Sequence, residues 1–237
     1  MNQPVILILG ASGGLGKALT SYFLSDNFKL ALQYNSTKIS QVESEDLAIY
    51  KADLRKEEEV INLISEVKSK FGRIDGVVNA AGISLNGMSW KMSLENWQET
   101  LDVNLTAPFL ITKHVLPHMR EQNFGRIIYI SSIVAQTGVV GAGAYAASKA
   151  GLSGLAKTVS KEVAKKNVTA NAIALGYFDA GMINGVPTEM KDEIINNIPF
   201  NRLGNPKELY KLITFILSDE SSYFTGQTIA LNGGLYS

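Results

Sequence analysis

The chain contains no cysteine. Disulfides, thiolate nucleophiles and cysteine metal sites are excluded at once. Histidine is nearly as scarce, with only His114 and His118. They stand four apart, on one face of a helical stretch beside Pro117. The spacing would suit a metal pair, but zinc sites usually take three or four protein ligands. A partly exposed helix face is expected there, and no metal site. A serine–histidine hydrolase is equally poorly supplied. No hydrophobic run reaches the roughly 20 residues of a membrane span. The opening MNQPVILILG carries no basic segment before its short apolar run, so no secretory signal is expected and a soluble cytoplasmic protein is. An excess of charge is missing too: 22 Lys+Arg balance 22 Asp+Glu. A balanced chain casts no long-range field, which argues against nucleic acid as the main ligand and leaves room only for a local basic patch.

What is present is an ordinary globular mix, 46% hydrophobic and 19% charged, over 237 residues. That length suits one large α/β domain. Short apolar runs alternate with longer helical patterns. Val5–Leu9, Lys29–Tyr34, Leu47–Ala52, Gly76–Asn79, Arg126–Ser131, Val168–Ala174 and Gln227–Leu231 read as seven strands. Between them fall helical patterns at Ala18–Leu24, Glu57–Phe71, Leu94–Met119, Ala144–Lys165 and Pro206–Leu217. In Glu57–Phe71 the expected buried face is Val60, Ile61, Ile64 and Val67. Continuously apolar strands separated by helices predict a parallel sheet covered on both faces, a doubly wound Rossmann-type α/β fold. No linker or repeat divides residues 1–237, which read as one domain. The least regular stretch, Gly176–Asn205, holds a short polar helix pattern at Glu189–Asn197. A long broken connection in a tight domain is usually functional, and a substrate lid is expected around 177–205.

Open parallel sheets bind ligands beyond the carboxyl ends of their strands. The first strand runs into Gly10-Ala11-Ser12-Gly13-Gly14-Leu15-Gly16. Glycines permit a sharp turn and bring backbone N–H groups close to a pyrophosphate at a helix N-terminus. The fourth strand ends in Asn79-Ala80-Ala81-Gly82, the fifth in Ser131-Ser132 and the sixth in Leu175-Gly176. Small and polar residues therefore gather on one rim. On the Ala-rich helix, Tyr145 and Lys149 stand four apart and share a face. A neighbouring ammonium favours phenolate, so the pair is expected to lower the tyrosine pKa and fit it for proton transfer.

The Gly10/Gly14/Gly16 spacing, the Asn79–Gly82 block, Ser132 thirteen residues before Tyr145, and Tyr145-x-x-x-Lys149 together resemble the short-chain dehydrogenase/reductase family. The resemblance runs from Val5 to Gly234. Leu101–Leu105, Gly125–Ile128 and the ending Thr225-Gly226-Gln227 … Asn232-Gly233-Gly234 are most similar to its 3-oxoacyl-[acyl-carrier-protein] reductases. By that resemblance Tyr145 protonates a carbonyl oxygen, Lys149 tunes the tyrosine and holds the nicotinamide ribose, Ser132 hydrogen-bonds the substrate oxygen, and Asn104 holds a water in a proton relay. The implied cofactor residues are Gly10, Ser12, Gly13, Gly14, Leu15, Gly16, Asn35, Ser36, Asp53, Leu54, Asn79, Ala80, Ala81, Gly82, Tyr145, Lys149, Gly176 and Phe178. Asp53 could instead cap the helix that follows it, and Asn104 could be a polar residue in a buried helix kink.

Departures from the pattern are Leu9 for a threonine, Ala80 for an asparagine, Leu175 for a proline and Ala180 for a threonine. Leu9 removes a structural hydroxyl, and the departures weaken the cofactor contacts expected near Leu175–Ala180. The short stretch Ser36–Asp46 should trim a helix at the adenine end. The implied activity is NADPH-dependent reduction of a β-ketoacyl thioester on a carrier protein or coenzyme A. Alternatives are another ketone or secondary alcohol (sugar, steroid, quinone-like) or a non-catalytic dinucleotide-binding relative. NADP(H) is preferred and NAD(H) remains possible, because Gln33-Tyr34-Asn35-Ser36-Thr37-Lys38 ends strand two without an acid. A homotetramer is implied, and Lys165, Lys166, Arg120, Arg126 and the position of Asn123 mark a possible docking face for an acidic acyl carrier protein.

Overall fold

The computed structural model describes residues 3–236. Seven strands form one sheet: β1 (Val5–Leu9), β2 (Lys29–Tyr34), β3 (Leu47–Lys51), β4 (Gly76–Asn79), β5 (Gly125–Ser132), β6 (Val168–Leu175) and β7 (Thr228–Leu231). Their order is β3-β2-β1-β4-β5-β6-β7, and every pairing is parallel. The helices are α1 (Gly14–Phe23), α2 (Glu57–Phe71), α3 (Leu94–Leu101), α4 (Ala107–Glu121), α5 (Val134–Thr137), α6 (Gly143–Val163), α7 (Thr188–Asn197) and α8 (Pro206–Leu217). The family-type α/β architecture expected from the sequence is the one observed.

Strand alternation explains the two-sided core. Val5, Leu7 and Leu9 of β1 point to one face and pack in a cluster with α2, α4 and α6; Ile6 and Ile8 point to the other and join α1 and α8. All five are at most 1% exposed. Each contributes roughly 1.5–3 kcal/mol by burial, so β1 anchors both layers. The strand order reverses between β1 and β4, which opens a crevice at their carboxyl ends. The glycine turn and the Asn79–Gly82 block flank that crevice.

Helix α2 begins with Glu57, Glu58 and Glu59, ends near Lys68 and Lys70, and stops at left-handed Gly72. Its buried face is Val60, Leu63, Ile64 and Val67. Ile61, expected on that face, is 44% exposed; Leu63 completes the i, i+3, i+4, i+7 stripe in its place.

The long helix expected within Leu94–Met119 is α4, and α3 and a π-helical turn at Asp102–Thr106 precede it. Pro108 has no N–H, so the Asn104 carbonyl four residues earlier loses its α-helical donor. The register slips there, as π-turns at functional sites commonly do. Between β2 and β3 the described residues hold no helix, so the expected trimmed helix is absent. Ile39 alone of that loop's apolar residues turns into the core. The stretch after β6 contains a 3₁₀ turn at Gly181–Gly185 and then α7. No helix among the described residues is long and apolar enough to cross a membrane.

Candidate active site

Two adjoining clefts run along the carboxyl edge of the sheet and share Gly13, Ala80 and Gly82. The first lies over β1, β2 and β3. Its wall includes Gly10, Ser12, Asn35, Ser36, Asp53, Leu54 and Ala81, all anticipated from the sequence. The second has a volume of about 570 Å³, in the range of ligand sites. Gly14, Leu15, Ser132, Tyr145, Lys149, Gly176 and Phe178 line it.

Close approach explains the glycines. At Gly10, φ is +69° and a Cβ would sit 2.6 Å from the Ala81 Cα. A Cβ on Gly16 would lie 2.2 Å from the Gly10 carbonyl oxygen. Gly14 meets Gly181 of the long connection, where a Cβ would be 2.5 Å from its backbone nitrogen. The turn thus opens directly into α1, whose first N–H groups have no intrahelical acceptors.

Helix α6 leaves β5 through α5 and brings Tyr145 and Lys149 to the second cleft. Lys149 is 4% exposed. Its Nζ donates to the Ile130 carbonyl at 2.7 Å and stands 5.7 Å from the Tyr145 ring centroid. Burial without a carboxylate partner lowers its pKa from 10.5 to about 8. Tyr145 moves opposite to the sequence expectation. Burial raises the phenol above its usual value, the Ser132 hydroxyl pulls it part of the way back, and Tyr177 raises it further. The ammonium faces Ile130 rather than the phenolic oxygen, and so does not offset that burial.

Asn104 is fully buried in the π-turn. Its Oδ1 accepts from Ile83 N–H at 2.9 Å, and its Nδ2 donates to the Ile83 carbonyl at 2.8 Å and to Ser148 Oγ at 3.1 Å. Both amide hydrogens are thus used within the fold. Gly82 keeps this corner open: a Cβ there would lie 3.3 Å from both Asn104 Oδ1 and Lys149 Nζ.

Other expectations resolve less simply. Asp53 does not cap α2 with its side chain; it accepts three bonds from Arg55, two from the guanidinium at 2.9 and 2.8 Å and one from the backbone N–H at 3.1 Å, which lower its pKa. Asn79 is 3% exposed and neither side-chain amide atom has a partner. It pairs in register with Leu9, whose side chain offers no hydrogen bond. Phe178 lines the second cleft and is 6% exposed, with its ring against Gly204. His114 bonds Glu57 and His118 bonds Lys68, and no metal-type cluster occurs among the described residues. Arg126, expected at a docking face, is 0% exposed, stacked 4.2 Å from the Phe124 ring with Nη1 on the Asn167 carbonyl. As the second residue of β5 it points into the protein.

The family model described as enoyl-(acyl carrier protein) reductase matches residues 10–236. The chain belongs to the short-chain dehydrogenase/reductase family. It is 34% identical to a 3-oxoacyl-[acyl-carrier-protein] reductase FabG of Staphylococcus epidermidis, over 100% of both chains. It is 36% identical to the FabG of Thermotoga maritima over 99% of this chain and 98% of the relative. An acetoacetyl-CoA reductase of Shinella zoogloeoides is 38% identical over 98% of each.

This short-chain dehydrogenase/reductase is thus an oxidoreductase of a family that uses a nicotinamide dinucleotide. The residues present fit that group. Glycines without room for a Cβ make a cradle at a helix N-terminus, and the two joined clefts accommodate an elongated ligand. Sequence reading missed four residues of the site. Gln33 and Arg55 line the first cleft, Tyr177 lines the second, and Ser148 bridges Asn104 and the Tyr145 carbonyl. Gln33 had a signal, as the one polar side chain inside an apolar strand. Arg55 had only its place beside Asp53.

Proposed function

We propose that this oxidoreductase reduces a β-ketoacyl thioester to the 3-hydroxyacyl form with NADPH. The observation that carries the reading is the convergence of the Ser132 and Tyr145 hydroxyls on one cleft wall, with Lys149 buried behind them. Bound nicotinamide dinucleotide supplies the hydride. Tyr145, kept protonated by burial, donates its proton to the carbonyl oxygen. Ser132 donates a hydrogen bond to the same oxygen and stabilises charge developing there. Lys149, still largely ammonium below pH 8, holds the ribose hydroxyls. Asn104 holds a water of the proton relay behind the lysine. Gly10, Ser12, Gly13, Gly14, Leu15 and Gly16 hold the pyrophosphate; Asp53 and Leu54 meet the adenine, and Gly176 and Phe178 the carboxamide.

NADPH is favoured because Asn35, Ser36, Thr37 and Lys38 are exposed at the end of β2 and none is acidic. Residues 177–205 form the lid, with Gly181 resting on Gly14. Strand β7 is a half-exposed sheet edge, and Phe109 of α4 is 48% exposed; these faces support a homotetramer, which light scattering at micromolar concentration tests. Exposed Lys165, Lys166 and Arg120 remain as the face for an acidic carrier.

The test is turnover of acetoacetyl and crotonyl thioesters with each cofactor. Acetoacetyl reduction with higher kcat/KM for NADPH is expected. The family model's description favours a second reading, reduction of the enoyl double bond; crotonyl turnover without acetoacetyl turnover would establish it.

A further inference from the structure

Strand β2 is apolar inside except for Gln33, which is 2% exposed. A buried primary amide is costly unless its polar atoms are paired. Here they are paired across three elements. Oε1 accepts from the Gly10 N–H at 2.9 Å, and Nε2 donates to the Ala52 carbonyl at 2.6 Å. The Gln33 main chain adds a third link, its carbonyl accepting from the Ala11 N–H at 2.9 Å. Two successive N–H groups of the glycine turn therefore close on this one residue. On its far side the turn is pressed against Ala81, with no room for a Cβ at Gly10.

Ala52 immediately precedes Asp53 and Leu54, and Gln33 itself lines the first cleft with Asn35 and Ser36. The carboxamide thus spans the two walls between which the adenosine half of a dinucleotide would lie: the glycine turn after β1 and the exit of β3. We infer that Gln33 is a positioning residue that sets the spacing of those walls, and so the affinity for the adenosine moiety shared by NADH and NADPH. This rests on the family's use of a nicotinamide dinucleotide and not on the β-ketoacyl substrate.

The amide has a direction, because Gly10 offers a donor and Ala52 an acceptor. Glutamine satisfies both. Leucine, of similar volume, satisfies neither. Glutamate keeps the acceptor for Gly10 but confronts the Ala52 carbonyl with an oxygen, unless it is protonated and donates. The two substitutions therefore separate volume from hydrogen bonding.

The experiment measures dissociation constants of NADPH, NADH and ADP-ribose for the enzyme without substrate, by nicotinamide fluorescence or calorimetry, alongside the cofactor KM. Gln33→Leu is expected to weaken all three ligands about tenfold, as lost hydrogen bonds imply, and to raise the cofactor KM in the same proportion. Gln33→Glu is expected to bind weakly at pH 8 and to regain affinity as the pH falls towards 5, relative to wild type at each pH. Should Gln33→Leu fail to fold, that pH-dependent rescue in Gln33→Glu decides the question. A folded Gln33→Leu with unchanged dissociation constants, or a Gln33→Glu whose affinity does not follow pH, would overturn the inference. Failure of the wild type to bind any of the three ligands would instead refute the dinucleotide reading beneath it.

Discussion

Replacing Lys149 by methionine should stabilise the protein while abolishing its activity. The lysine is 4% exposed, and burial lowers its pKa from 10.5 to about 8. At about 1.4 kcal/mol per tenfold, that fall means roughly 3 kcal/mol against the charged form at pH 7. Methionine removes the charge and keeps the apolar stem, but forfeits the bond to the Ile130 carbonyl, worth about 1 kcal/mol. A net gain of roughly 2 kcal/mol remains, which raises Tm by about 4–8 °C in a chain of this size. The pH dependence follows from the sign. The unfolded chain holds the lysine proton up to about pH 10.5 and the folded chain releases it near 8, so wild-type stability carries the full penalty below pH 8. The penalty shrinks as the pH rises from 8 towards 10.5. The Tm advantage of Lys149→Met should therefore be largest near pH 7 and fade by pH 10. Paired melts of the two apo-proteins across that range provide the assay. A variant no more stable than wild type at pH 7, or an advantage undiminished at pH 10, would refute the reasoning.

Tyr145→Phe keeps the ring and removes the proton donor, so turnover should fall by roughly 10²–10⁴ while NADPH binding persists; turnover near wild type would exclude the mechanism. Ser148→Ala strands one Asn104 amide hydrogen in a fully buried site, which should cost about 1–3 kcal/mol of stability, measured by urea unfolding. Lys166→Glu should raise KM for a carrier-bound substrate, leave a coenzyme A thioester nearly unaffected, and show a smaller difference as salt rises; equal effects on both would remove the carrier. Lys38→Asp should lower kcat/KM with NADPH while sparing NADH, and a parallel loss with both would place the phosphate elsewhere.

Much of the architecture was legible because local patterning records which way each side chain faces. Val5–Leu9 is apolar at every position, and only a strand buried on both sides needs that; the sheet delivers Val5, Leu7 and Leu9 to one layer and Ile6 and Ile8 to the other. Gly10, Gly14 and Gly16 announced a tight turn, and the four-residue spacing of Tyr145 and Lys149 put both on one helix face in the same cleft. Even the break after Leu101 was written locally, since Pro108 deprives the Asn104 carbonyl of its donor.

What tertiary structure decided were partners and electrostatic environments. The Gln33 side chain reaches Gly10, 23 residues away, and Ala52, 19 away, and only the parallel order β3-β2-β1 brings those ends together. Arg126 lies close in sequence to the possible docking position at Asn123, yet β5 lies between β4 and β6 and its strand position turns the guanidinium inward. The Tyr145–Lys149 spacing suggested a lowered phenol pKa, whereas burial by surrounding elements and the turn of Lys149 towards Ile130 raise it. Periodicity determines the face a residue presents. Its charge state depends on every dipole and apolar surface that the fold gathers around it, and those come from chain segments far away in sequence.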